Sequence, residues 1–217
     1  MDKRSALVFG ASGLVGTELI HLLLEHPEYQ SVHSFGRSKL DIKHPKLQQL
    51  IVDFEAMNKQ RDVFKNKDVY CCLGTTIKKA KTREAFRRVD YDFVVNAAAL
   101  AKEQEVENFA VISSLGANKA SRNFYLKTKG EMEAALSKLN FKKLRILRPS
   151  ILLGNRKEKR LGEKIGIVLI KVLNPLLIGK LKKYRGVHAH AVARKMISAT
   201  LSNEAGTTFI ESDLINK

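Results

Sequence analysis

The chain has 217 residues, 44% apolar and 28% charged, with no Trp and four Pro; this suits one domain with a sizeable core and excludes a disordered or repetitive chain. Its formal charge of +17 draws phosphates, acidic partners and anionic surfaces. No zinc-finger spacing, interleaved aromatic and basic motif or helix-turn-helix accompanies that charge, so nucleic acid is not an expected partner.

At the N-terminus Met1–Ser5 is polar and carries no signal-peptide pattern, so a cytoplasmic location is expected. Ala6–Phe9 reads as a buried strand, and Leu14–Leu24 as a helix with Leu19, Ile20, Leu22 and Leu23 inward. Between them Gly10, Gly13 and Gly16 form G-x-x-G-x-x-G. In the first strand–helix turn of an α/β chain this spacing suits a dinucleotide. Gly10 allows a sharp turn, Gly13 a close approach of backbone to pyrophosphate, and Gly16 tight helix–strand packing. Ser12, Leu14 and Val15 complete the loop and first turn, where free N–H groups and the helix dipole favour phosphate.

Ser31–Phe35 is a second strand, ending in Gly36, Arg37, Ser38 and Lys39. An enzyme choosing NAD usually carries an acidic residue here for the ribose 2′-hydroxyl. A guanidinium, a hydroxyl and an ammonium suit a 2′-phosphate instead, so the expected cofactor is NADP(H). Leu47–Val52 is a third strand, and Asp53 after it is placed either to accept from the adenine amino group or to cap the next short helix. Asp68–Leu73 is a fourth strand, after which Leu73, Gly74 and Thr75 are expected to pass under the cofactor. Cys71 and Cys72 within it read as core residues; they form no disulfide framework and fit a reducing compartment.

Arg83–Glu103 reads as one helix, and Asn108–Ser113 as a fifth strand ending on the pair Ser113 and Ser114. Phe124–Leu139 is a helix, Lys143–Leu147 a sixth strand, His190–Leu201 a helix and Thr207–Ile210 a last strand. Apolar strands alternating with helices predict an α/β, doubly wound, mostly parallel sheet that binds ligands beyond the strands' carboxyl ends.

Of the five tyrosines only Tyr125 has a lysine, Lys129, four residues on, which puts both on one helix face just after the serine pair. An ammonium beside a phenol lowers its ordinary value near 10. The same lysine can hold the nicotinamide ribose, and a serine hydroxyl can bond a substrate carbonyl while Tyr125 exchanges the proton.

The segments GASGLVG, FGRSK, CCLGTT, VDYDFVVNAAALAK, ISSLGA, YLKTKGEME and LRPSILLG, in this order, make the chain similar to the atypical short-chain dehydrogenases/reductases. Within them it resembles the Tat-interactive-protein oxidoreductase group, strongly from Leu7 to Gly154. The resemblance implies a Rossmann-like fold binding NADPH, a catalytic set of Ser114, Tyr125 and Lys129, and a nicotinamide-side turn at Arg148, Pro149, Ser150 and Ile151. The implied activity is NADPH-dependent reduction of a small carbonyl compound, with a nucleotide-binding regulatory or adaptor role as the alternative. Two departures stand out. Many short-chain dehydrogenases carry an Asn on the helix after strand four, where this chain offers Asp90. The stretch after the sixth strand is short for the substrate domain of the extended sugar-nucleotide epimerases.

Lys157–Arg185 carries nine Lys or Arg and two Glu around IGIVLIKVLNPLLIG. Its apolar run, broken by Lys171, Asn174 and Pro175, falls short of the roughly 20 residues that span a bilayer. Residues 155–189 are expected to form a small lid or substrate lobe of the single domain 1–217; a homodimer surface and peripheral contact with an anionic membrane are the alternatives. His188 and His190 have no Cys, Asp or Glu nearby in sequence to complete a metal site, and none is expected.

Overall fold

The computed structural model describes residues 3–154 and 179–215. The elements run β1 (Arg4–Phe9), α1 (Leu14–Glu25), β2 (Tyr29–Gly36), β3 (Leu47–Ile51), a 3-10 segment (Phe54–Phe64), β4 (Asp68–Cys71), α2 (Ile77–Ala80), α3 (Arg83–Arg87), a π-helical turn (Arg88–Asp92) and α4 (Phe93–Glu103). They continue with β5 (Asn108–Ile112), α5 (Phe124–Ser137), β6 (Lys143–Arg148), β7 (Leu152–Leu153), a 3-10 turn (Gly179–Tyr184), β8 (Val187–His188), α6 (Ala189–Leu201), β9 (Gly206–Glu211) and α7 (Ser212–Ile215).

Seven strands form one sheet in the order β3-β2-β1-β4-β5-β6-β9, and every pairing is parallel. This is the expected doubly wound, Rossmann-like architecture. The winding reverses between β1 and β4, which opens a crevice beyond their carboxyl ends.

Alternate residues of the apolar strands feed two cores. Ala6, Val8, Ala110 and Leu147 pack with Leu19, Ile20, Leu23, Val192 and Met196 of α1 and α6. On the other face Leu7, Phe9, Val69 and Phe109 pack with Phe35, Phe54 and Phe64 and with Val94, Ala97, Met132 and Leu136 of α4 and α5.

Two expectations change. The single helix over Arg83–Glu103 is interrupted by the π turn, whose wider repeat a 3.6-residue pattern does not reveal. The fourth strand stops at Cys71. Residues 155–178 of the lid lobe, with the apolar run Ile165–Ile178, lie outside the described residues; of the remainder, β8 pairs with β7. Among the described residues no helix is long and apolar enough to cross a membrane.

The lysine- and arginine-bearing strand KLRILR hides a buried charge: Arg145 is 1% exposed. It donates to the carbonyls of Ala199 and Gly206, both at 2.9 Å, to Thr208 Oγ1 at 3.1 Å and to the carbonyl of Glu204. One guanidinium therefore ties the end of α6 to the start of β9. Arg145→Met should cost about 3 kcal/mol, since four partly buried hydrogen bonds to one guanidinium are lost at once. Urea unfolding checks this as a lower midpoint at unchanged slope; a parental midpoint would contradict it.

Candidate functional site

The glycine loop is closed by backbone contacts that leave no room for side chains. Gly10 has φ +72°, and a Cβ there would lie 2.6 Å from the Cys72 carbonyl oxygen. A Cβ on Gly16 would lie 2.2 Å from the Gly10 carbonyl oxygen. The Gly13 N–H donates to that same oxygen at 3.0 Å. Gly13 is the N-cap of α1, and no side chain caps that helix end. With Ser12 before it and Leu14, Val15 and Gly16 in its first turn, the helix offers backbone donors and a positive dipole end into the crevice, a cradle suited to a diphosphate.

Arg37, Ser38 and Lys39 are exposed just past the end of β2, and none makes a hydrogen bond or ion pair among the described residues. Asp53 follows β3 and caps the 3-10 segment, its Oδ1 accepting from the Glu55 N–H at 3.0 Å. Of the two roles read from the sequence, the cap is the one the geometry fills, and the residue is exposed.

The turn Leu73–Gly74–Thr75 follows β4, next to the glycine loop. The Thr75 N–H donates to Asp90 Oδ2 at 2.7 Å, and Asp90 Oδ1 lies 2.8 Å from Lys129 Nζ. Both partners are buried, and the lysine also donates to the Ile112 carbonyl at 3.5 Å. Burial pushes the Lys129 value down, but the charge of Asp90, the Tyr125 phenol and the hydrogen bond to Asp90 outweigh it, so the ammonium is stabilised. The two cysteines before the turn are buried thiols: desolvation pushes Cys71 up to about 12 and Cys72 well above its ordinary value. They stay protonated, as core residues do.

Ser113 and Ser114 follow β5. Among the described residues, Ser113 Oγ is buried without a hydrogen-bond partner, while Ser114 Oγ has only a long bond, 3.3 Å, to the Leu115 carbonyl. Tyr125 sits in the first turn of α5, which Asn123 caps by accepting from the Leu126 N–H. Asn118 N–H donates to the Leu126 carbonyl at 3.1 Å, which draws the loop after Ser114 onto that turn. The Phe86 ring packs against Tyr125 with centroids 5.7 Å apart.

After β6, the Pro149 carbonyl accepts from the Leu115 N–H at 2.9 Å, Ser150 binds Ser212 Oγ through its N–H and the Arg185 carbonyl through its hydroxyl, and Ile151 is exposed. Arg148 holds Glu133 at 2.6 and 2.9 Å and Glu211 at 2.9 Å, so it fastens α5 to β6 and β9.

The structure thus gathers the glycine loop, Leu73–Thr75, Ser113, Ser114, Lys129 and Pro149–Ile151 at the carboxyl ends of β1, β4, β5 and β6. Arg37–Lys39 and Asp53 lie outward, past β2 and β3. The sequence reading missed the roles of Phe86, Glu133 and Arg148. Only Tyr125, Lys129 and Glu133 at four-residue intervals could have signalled one shared helix face. His188 is the N-cap of α6, and His190 Nδ1 lies 3.1 Å from Glu18 Oε2. No group of three or more metal-type ligands occurs among the described residues.

Residues 10–164 match the family described as NAD(P)H-binding. Protein HTATIP2 of Rattus norvegicus is 40% identical over 167 residues, 75% of this chain and 69% of that one. The mitochondrial protein FMP52 of Debaryomyces hansenii is 34% identical over 160 residues, 72% of this chain and 70% of that one. Among solved structures, MoeE5 in complex with UDP-glucuronic acid and NAD has a TM-score of 0.73 over 94% of this chain and 75% of its own, at 16% identity, a likeness of fold. The cytoplasmic expectation is corrected by these relatives: the FMP52 proteins of Debaryomyces hansenii, Candida albicans, Meyerozyma guilliermondii and Candida glabrata are named mitochondrial. A polar Met1–Ser5 lacks a secretory pattern, and that property does not distinguish cytosol from organelle.

Proposed function

The chain belongs to the NAD(P)H-binding family as an atypical short-chain dehydrogenase/reductase related to HTATIP2 and FMP52, and from that premise we propose that it reduces a small carbonyl compound with NADPH through Ser114, Tyr125 and Lys129. The observation that carries this reading is the buried Lys129 ammonium, held at the crevice beside the Tyr125 helix turn and under the Gly74–Thr75 turn.

The fit to a dinucleotide rests on the glycine loop, whose space a Cβ would fill, and on the uncapped start of α1. When bound, reduced nicotinamide would supply a hydride to the carbonyl carbon. Tyr125 Oη donates a proton to the carbonyl oxygen, and Ser114 Oγ donates a hydrogen bond that orients it. Lys129 presents its ammonium to the charge that develops on Tyr125 Oη as the proton leaves, and holds the nicotinamide ribose. Arg37, Ser38 and Lys39 select NADP(H) by binding the 2′-phosphate, with Arg37 able to do so bidentately.

Arg37→Ala should weaken NADPH binding by about tenfold to a hundredfold and leave NADH binding unchanged. Equal losses for both nucleotides would remove Arg37 from the selection. Turnover itself is tested by NADPH oxidation against a panel of small aldehydes and ketones. Oxidation with at least one supports the reductase reading; tight NADPH binding with no oxidation across the panel would refute it in favour of a nucleotide-sensing regulator.

A further inference from the structure

Asp90 is 1% exposed, among the most buried charged side chains described. A carboxylate this deep is costly unless each oxygen is paired. Both are: Oδ1 with Lys129 Nζ at 2.8 Å, and Oδ2 with the Thr75 N–H at 2.7 Å. Gly74 closes over the pair, for a Cβ there would come 3.4 Å from Asp90 Oδ1 and 3.9 Å from Lys129 Nζ. Asp90 sits at the centre of the π turn Arg88–Asp92, with Arg88 and Asp92 on either side exposed to solvent. Such turns are uncommon and frequently mark functional positions.

An amide could not take its place. Asn has one acceptor oxygen, and its NH2 group would then face either the ammonium or the Thr75 N–H, donor against donor. Only a carboxylate satisfies both neighbours in this geometry.

We infer that Asp90 is a positioning residue whose two oxygens clamp Lys129 to the Gly74–Thr75 turn, presetting the ammonium beneath the nicotinamide ribose. This rests on the cofactor reading above. The groups facing Lys129 are Asp90 from the π turn, Tyr125 from its own helix, Cys71 from β4 and the Ile112 carbonyl from β5. Of these, Asp90 alone is a carboxylate. Without it, the largest influence opposing desolvation is gone, and the lysine loses its proton at lower pH.

A double-mutant cycle with Asp90→Asn, Lys129→Met and the double variant tests the clamp on the intact chain. NADPH dissociation constants are measured by fluorescence, and melting temperatures without nucleotide. Each single variant should lose about tenfold in NADPH affinity, and the double variant should bind no worse than Lys129→Met alone. Asp90→Asn should lose about a further tenfold between about pH 7 and about pH 9.5, whereas the wild type changes by less than about threefold. A purely structural aspartate would not produce that pH dependence. Losses that multiply in the double variant, or an Asp90→Asn affinity as flat with pH as the wild type, would overturn the clamp. If the wild type binds no NADPH, the cofactor reading fails by itself and the melting data decide the clamp. Both single variants should then melt lower, with the double variant regaining at least half the loss; additive losses overturn the inference.

Discussion

Tyr125→Phe should lower NADPH-dependent carbonyl reduction by about a hundredfold to ten-thousandfold while NADPH binds with parental affinity. The substitution removes one oxygen and keeps the ring, which packs at a tilt against the buried Phe86 with centroids 5.7 Å apart. Helix α5 keeps its Asn123 cap, and Lys129 keeps its contact with Asp90. What disappears is the proposed proton donor, one helical turn from the lysine. Ser114 cannot replace it, because an alcohol without a partnered base is a poor acid near neutral pH. Single-turnover oxidation of bound NADPH, monitored with the best carbonyl substrate from the panel, isolates the chemical step from product release. Turnover within a factor of about three of the parent would remove Tyr125 from the reaction.

Gly16→Ala should weaken NADPH binding by about a hundredfold, roughly 3 kcal/mol. The new methyl would start 2.2 Å from the Gly10 carbonyl oxygen, a backbone atom that also accepts from the Gly13 N–H. Gly10 cannot move freely in response, because its φ of +72° and its approach to Cys72 fix it against the end of β4. The strain therefore falls on the loop between Gly10 and Gly13, where the diphosphate is expected. Melting curves separate the two effects. The variant without nucleotide should melt modestly lower, and saturating NADPH should no longer raise its melting temperature as it raises the parent's. A parental rise with NADPH would mean that the loop does not hold the nucleotide.

The elements most legible in the sequence were those whose local chemistry agrees with their tertiary role. The runs ALVF and NFAVI are apolar because both faces of a central parallel strand are covered, and GASGLVG is glycine-rich because the neighbouring backbone excludes Cβ atoms at Gly10 and Gly16. Tyr125 and Lys129 were legible through their spacing. Asp90 was noted only as standing where an Asn is usual, since nothing local shows that a π turn carries it inward. Arg145 and Arg148 look like ordinary strand charges in KLRILR; their partners lie on α5, α6 and β9, far away in sequence. Asp53 could be read two ways because a carboxylate after a strand both caps a helix and accepts from a base.

The proposed reaction requires a dinucleotide lying across the carboxyl ends of β1, β4 and β5 with its additional phosphate at Arg37. Calorimetric titration of the intact protein with NADPH and, separately, with NADH tests this most directly. The expected result is one site per chain for NADPH, with affinity at least about tenfold above that for NADH. Absence of heat and of any rise in melting temperature with saturating NADPH, or tighter binding of NADH, would contradict it.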